Sequence, residues 1–374
     1  MRRILFILSV MLAVLFQAYP ILAADGEPDS TEPQKIELSI SKAVEMAKNY
    51  SSTLQSAKLD IERKEIVRDD ASQKLQYTPT GSGNAETSVL TAFSNLISAD
   101  LNWSISKKTH ESQIDTLEYT VNQYYSDLLR AQEKLKAGQY ALKNAEQQVK
   151  VARISCQFGL ISKSALVASE AALEKARANM EEYQKQLDDS YQKFNQYIGL
   201  QVDARPVLTD TFAYKPIEIE SIDAEVGRVL AESPSVWLAD RNVDVAKQTR
   251  YYQTPYDVGK IDVQKAELSA TKTRDTTKQT VRSLYLSISQ MEDQYNNLSA
   301  TVETSEEDLR VLKVKYQIGM ATEAEVISAE SSLAQAKQAL FDLVCRHAIS
   351  KLAFEKPWAS SGSSSAQSSS STSS

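Results

Sequence analysis

The chain has 374 residues, with 42 Lys and Arg against 49 Asp and Glu and a formal net charge of -7. That balance excludes a protein that grips nucleic acid through a basic surface. Two His, two Cys and ten Gly leave too little material for a zinc cluster, a disulfide scaffold or a glycine-rich phosphate loop.

Met1-Arg2-Arg3 opens the chain, an apolar run follows from Ile4 to Phe16, and small residues lead out through Ala23-Ala24. A basic start, a short apolar centre and a small-residue exit make residues 1–23 a secretory signal peptide. The other reading is an uncleaved anchor, but a run of 13 residues, 12 of them apolar, falls short of the roughly 20 that span a bilayer. Without Arg2 and Arg3 the balance is 40 against 49, or -9. No Cys follows the cleavage region to carry a lipid, and no later stretch has 18 uninterrupted apolar residues. Residues 24–35 are acidic, contain Pro and form a flexible lead-in. At the other end, residues 357–374 are expected to be disordered. Ser occupies 11 of the last 15 positions, and such a tract cannot bury enough apolar surface to offset its ordering entropy.

Between these ends lies an internal repeat. Phe158-Gly159-Leu160-Ile161-Ser162 returns 160 residues later as Ile318-Gly319-Met320-Ala321-Thr322. The same offset pairs Val121 with Val281, Tyr125 with Tyr285, Glu170 with Glu330 and Ala176 with Ala336, without a gap. The starts of the two units, AKNYSSTLQSA at Ala47 and VLAESPSVWLA at Val229, match at an offset of 182. The first unit therefore carries 22 extra residues around Tyr77–Ser98. The repeats span 36–200 and 222–356, joined by a linker at 201–221 that holds Pro206 and Pro216.

Within each unit apolar residues recur every seven positions: Leu128, Leu135, Leu142, Val149 and Cys156, then Leu166, Leu173, Met180, Leu187 and Phe194. The second unit has Ile288, Tyr295, Val302, Leu309 and Tyr316, then Val326, Leu333 and Leu340. Small companions such as Gly138, Ala145, Ala152 and Ala336 let helices approach closely. The spacing predicts an all-α protein of long antiparallel hairpins packed as coiled coils in two tandem repeats, with little or no β. Gly159 and Gly319 suit left-handed helix ends, and Ser162 and Thr322 suit the N-caps of the returning helices. Thr322 with Glu325 matches a capping box.

Taken together, the signal peptide, the two homologous units, the Tyr-x-x-Leu-Leu of the first and the duplicated Gly-x-x-Ser/Thr tip resemble the outer-membrane efflux protein family (TolC-like). The likeness covers about residues 36–354. It implies a trimer whose hairpins form a tunnel, with Gly159, Ser162, Gly319 and Thr322 in tips that meet an adaptor protein and a membrane pump. It implies an acidic residue near the tunnel entrance. Glu325 fits that place or serves the cap alone, and Ala165 stands there in the first unit. The resemblance also implies two barrel strands per unit, each of about 9–11 alternating residues. Only Leu101, Trp103 and Ile105 alternate, and residues 256–280 are strongly polar. The expectation is thus a relative without most or all of its membrane barrel, exported to the cell envelope. The outer membrane is its place by resemblance, and the periplasmic or extracellular side of the membrane otherwise.

No Ser/His/Asp order, HExxH or Cys-x-x-Cys is present, and His110 and His347 stand apart. No enzyme activity, cofactor, metal or nucleic-acid partner is expected. Cys156 and Cys345 lie too far apart along their hairpins to form a disulfide. Cys156 reads first as a buried thiol, with an intermolecular bond as the rival. The function these features imply is an oligomeric conduit or adaptor-docking part of an efflux or secretion system. The alternative is a structural or interaction coiled-coil rod with no transport role.

Overall fold

The computed structural model describes residues 37–76, 85–250 and 256–360. The signal peptide, the lead-in, the turn-like stretch at 78–83 and the serine tract from 361 lie outside the described residues. The elements are β1 (Glu37–Leu38), α1 (Ile40–Tyr50), α2 (Ser52–Gln76), α3 (Ala85–Gln157), α4 (Lys163–Ile198), β2 (Val207–Leu208), α5 (Ile222–Glu232), α6 (Pro234–Thr249), α7 (Tyr256–Gln317) and α8 (Glu323–Glu355). The class is all-α. β1 and β2 pair in parallel through Glu37 with Val207 and Leu38 with Leu208, and they are the only strands among the described residues.

The helix boundaries follow from local chemistry. Ser39 caps α1 by accepting from the Lys42 N–H at 3.3 Å. α6 starts on Pro234, which needs no N–H in a first turn. α4 ends on Gly199 at φ 78°, with the Leu200 N–H returning to the Asn195 carbonyl at 2.9 Å. The Asn195 amide then donates to Val202 O and Ala204 O at 3.1 and 2.8 Å, which fixes the exit of the chain.

The sequence α1–α2–α3–α4 recurs as α5–α6–α7–α8. α2 has 25 residues against 16 in α6, and α3 has 73 against 62 in α7. The additional residues of the first unit therefore chiefly lengthen a helix pair. Leu101, Trp103 and Ile105 sit inside α3, and residues 256–280 inside α7. Leu101 and Ile105 are four apart, a helical neighbour spacing as well as a strand one. Eight residues join α2 to α3 and six join α6 to α7. Neither connection reaches the roughly 18–22 residues that two spanning strands need.

Neighbouring helices follow the order α2–α3–α6–α7 in the half of the array above the two-stranded sheet and α4–α3–α8–α7 in the half below it. The core sits where these halves meet. Leu38, Ala47, Tyr125, Leu128, Phe194 and Ile198 form one cluster, and Val226, Val229, Val281, Ile288 and Phe354 form the other. Val121 and Val281 are both fully buried, so the repeat pairs equivalent core positions. Further down, Val149 and Ala152 are buried and Gly138 packs under Tyr183. A Cβ at Gly138 would lie 2.8 Å from the Tyr183 ring, so the small companion is a steric requirement.

Residues 201–221 are a packed strap. The Tyr125 hydroxyl accepts from the Asp210 N–H at 2.9 Å and has the carbonyls of Asp210 and Leu38 at 3.1 and 3.3 Å as acceptors. Its ring meets Phe194 and Phe212 edge-on. On the second unit Tyr214 stacks on Tyr295 at 3.6 Å, and the Ile217 N–H donates to Glu292 Oε1 at 2.7 Å. His347, buried beneath Tyr214, lies 3.3 Å from the same oxygen, a packing place.

Two expectations need correction. The first described residues of the expected disordered tail, 357–360, are ordered: Trp358 Nε1 donates to Asp115 at 2.8 Å and Ala359 is buried. An aromatic ring with a carboxylate partner offsets the ordering entropy that the serines beyond cannot. Cys156 is only half-buried, whereas Cys345 is fully buried and both are free. Cys156 lies near the end of a hairpin, where one neighbouring helix covers it; Cys345 lies among several.

Burial pushes the Cys345 thiol up to about 12. A maleimide at pH 8 is expected to label Cys156 within minutes and Cys345 only after denaturation, as read by mass spectrometry. Tyr125→Phe leaves the Asp210 N–H without its acceptor and is expected to cost about 1–3 kcal/mol, seen as a lower urea midpoint at unchanged m.

Candidate functional site

The two hairpin tips share one backbone. α3 ends at Gln157 and Gly159 takes φ 73°; α7 ends at Gln317 and Gly319 takes φ 76°. In both, the residue after the glycine donates back into the helix, Leu160 N–H to Ser155 O and Met320 N–H to Lys315 O, each at 2.8 Å. This is the six-to-one closure of a Schellman turn. No atom lies within 4 Å of a Cβ added at either glycine, so the left-handed backbone alone requires glycine there.

The returning helices are capped differently. The Ser162 hydroxyl accepts from the Ala165 N–H at 3.2 Å and lies 2.8 Å from the Ser164 hydroxyl, with no carboxylate in the cap. Thr322 accepts from the Glu325 N–H at 3.3 Å, while Glu325 Oε2 accepts from the Thr322 N–H at 2.7 Å and its hydroxyl at 3.0 Å. The Thr322 N–H, helped by the hydroxyl, holds the Glu325 carboxyl below the usual carboxylate range. The structure brings Gly159 with Ser162 and Gly319 with Thr322 and Glu325 into these two turns. Ala165 and Glu325 occupy equivalent N3 positions, one without and one with a carboxylate.

Each tip also exposes an apolar pair around its glycine. Phe158, Leu160, Ile318 and Met320 are 64% to 76% exposed. The sequence signal for these four side chains is the repeat itself, apolar at 158 and 318 and again at 160 and 320.

A lateral tie joins the hairpins near the tips. Glu330 of α8 accepts from Lys143 of α3 at 3.3 Å and faces Lys313 of α7 at 3.6 Å. Its repeat counterpart Glu170 pairs with Arg153 inside its own hairpin at 3.0 Å. Nearer the waist Asp342 of α8 binds Arg130 of α3 and Arg346. Burial raises the carboxyl of neighbouring Asp127, which Arg130 partly offsets. A groove of about 1850 Å³ of mixed polar and apolar lining runs beside this network, with Thr116, Thr120, Gln123 and Lys134 but also Leu117 and Trp237 in its wall. Among the described residues no group of three or more His, Cys, Asp or Glu is placed to hold a metal, and no helix is long and apolar enough to cross a membrane.

Solved outer-membrane channels share this fold. The outer-membrane channel OprN superposes with a TM-score of 0.63 at 13% identity, over 86% of this chain and 90% of that one. The fold is that of the TolC-like outer-membrane channels. The open state of the Neisseria gonorrhoeae MtrE outer membrane channel gives 0.59 at 16% identity over 86% and 88%. The outer membrane protein VceC of Vibrio cholerae gives 0.57 at 15% over 84% and 94%. No protein-family model and no curated protein matches the chain. The likeness is thus one of fold, without the barrel strands among the described residues.

The Glu325 carboxylate, with its folded pKa depressed, stabilises the second tip above the unfolded value of about 4.5 and ceases to as pH falls through the folded one. Hydrogen exchange, corrected for intrinsic rates, is expected to show protection of the Glu325 and Val326 amides falling as the carboxylate is protonated, below the ordinary value of 4.5. Glu325→Ala should lower the protection at neutral pH and shrink that dependence. The first turn of α4, which has no acidic residue, should show none.

Proposed function

We propose that the protein is a TolC-like, non-enzymatic component of an efflux or secretion system. Exported to the cell envelope, it forms an oligomeric conduit, a trimer by the family resemblance, whose tips dock an adaptor protein and through it a membrane pump. The observation that carries this reading is the channel fold across more than four fifths of the chain, ending in two tips of one geometry. The exposed pairs Phe158 with Leu160 and Ile318 with Met320 present apolar surface next to a rigid turn, as a helical partner requires. The groove, with polar side chains along part of its wall, is compatible with the lining of a conduit. Gly159, Ser162, Gly319 and Thr322 shape the docking turns, and Glu325 stiffens one of them.

The short connections between α2 and α3 and between α6 and α7 favour a conduit that stops at the membrane surface. They are also what a structural rod of the envelope would have. Mass separates the two. Light scattering after size exclusion in detergent-free buffer is expected to give about three times the chain mass. A monomer or dimer at all concentrations refutes the conduit. In cells, Phe158→Asp with Ile318→Asp is expected to reduce export at least tenfold while leaving the helical circular dichroism unchanged. Unchanged export would transfer the reading to the rod.

A further inference from the structure

Behind the signal peptide the chain has six sulfur-bearing side chains, Met46, Met180, Met291, Met320, Cys156 and Cys345. Burial separates them. Cys345 is fully buried and Cys156 half-buried. Met46 and Met291 pack against the two core clusters. The Met180 sulfur lies beside Gly138, 3.7 Å from where a Cβ would stand. Met320 is 73% exposed, the only one of the six in open solvent. A thioether in that position is open to two-electron oxidants such as peroxides and hypohalous acids.

The surroundings of Met320 make its chemistry separable from the fold. Gly319 takes φ 76°, the Met320 N–H donates to Lys315 O at 2.8 Å, and Thr322 with Glu325 closes the capping box just beyond. The backbone on both sides is therefore tied, while the side chain stands in solvent. Oxidation of a buried methionine disrupts a core; at this place it changes a surface. That surface is the apolar pair of Ile318 and Met320. The matching place in the first tip holds Leu160, 76% exposed and without sulfur. The two tips thus offer the same apolar face, and one of them carries an atom that an oxidant changes.

We propose that Met320 is a site of reversible methionine oxidation, and that its sulfoxide withdraws the second tip from docking. A sulfur lone pair attacks one oxygen of a peroxide, and the S–O bond forms as the O–O bond breaks. With hydrogen peroxide the departing hydroxide takes the remaining proton and leaves as water. Sulfur loses two electrons and the peroxide gains them. The product carries a hydrogen-bond acceptor on a face that docks through apolar contact, and burying that acceptor unpaired is unfavourable. A thiol-dependent methionine sulfoxide reductase reverses the step: a dithiol is oxidised to a disulfide and the oxygen is lost as water. Leu160 has no such state, so the response is confined to one tip. The loss of docking rests on the function proposed above; the oxidation site rests on exposure.

The site and the switch are tested separately. The full chain is treated with hydrogen peroxide, and the gain of oxygen on each methionine peptide is followed by mass spectrometry. In the folded chain Met320 is expected to react at least tenfold faster than Met46, Met180 and Met291, and in urea all four should react alike. Equal rates in the folded chain overturn the site. Methionine sulfoxide reductases of both epimer specificities, with dithiothreitol, should return the Met320 peptide to its unoxidised mass; a sulfoxide that persists overturns the reversibility. In cells, export is measured before and after a brief peroxide pulse, each strain against its own untreated value. The unmodified chain is expected to lose export at least threefold and Met320→Leu to hold its untreated level. Met320→Gln, a polar stand-in for the sulfoxide, should export less than the unmodified chain without peroxide. Circular dichroism checks that each variant is folded. Equal losses in the unmodified chain and Met320→Leu overturn the switch. An untreated, unmodified chain that exports nothing removes the docking reading and the switch with it, while the oxidation rates still decide the site.

Discussion

The Tyr125 hydroxyl is the contact on which the two halves of the molecule depend. It sits midway along a 73-residue helix and binds backbone from two distant places, Leu38 at the start of the first repeat and Asp210 in the strap between repeats. Its ring fills the core between Phe194 and Phe212. Burial raises the phenol, so it stays a neutral donor and acceptor at any physiological pH. A long hairpin has many equivalent places to slide, because a seven-residue seam looks the same one heptad along. A buried, directional contact with no such periodicity sets the level of everything above and below it. Lys356 and Trp358 on Asp115, from the other end of the chain, and Lys48 on Glu118 reinforce that level.

This explains which parts of the fold were legible in the sequence. The helices, their hairpin tips and their duplication rest on local rules repeated many times. Leu128 and Val149 recur at multiples of seven, Gly159 and Gly319 recur at 160, and each needs only its neighbours in the chain to be understood. The strap, the Tyr125 contact and the packed Trp358 rest on single contacts between residues 75 to 243 positions apart. Such contacts leave no period to read. Cys156 was misjudged for a related reason: the heptad gives the side of a helix a residue occupies, and the number of helices covering that side is a property of the assembled array.

The tips were legible in their backbone and not in their surface. A glycine followed three residues later by Ser or Thr announces a turn and a cap. That Phe158 and Met320 stand in solvent follows from the absence of any other helix at the end of a hairpin. The Glu330 tie is likewise silent in sequence, since Glu170 occupies the matching place and bonds within its own hairpin instead.

The unequal caps of the two returning helices have a mechanical meaning. The two tips share one backbone shape, and a single carboxylate adds two hydrogen bonds to the second. The seam residues that align the helices and the cap residues that govern fraying at their ends are separate sets, so compliance at the end of an arm can be retuned by one substitution without disturbing its register. The two arms can thus be tuned separately, and Ala165 and Glu325 mark the position where their caps differ.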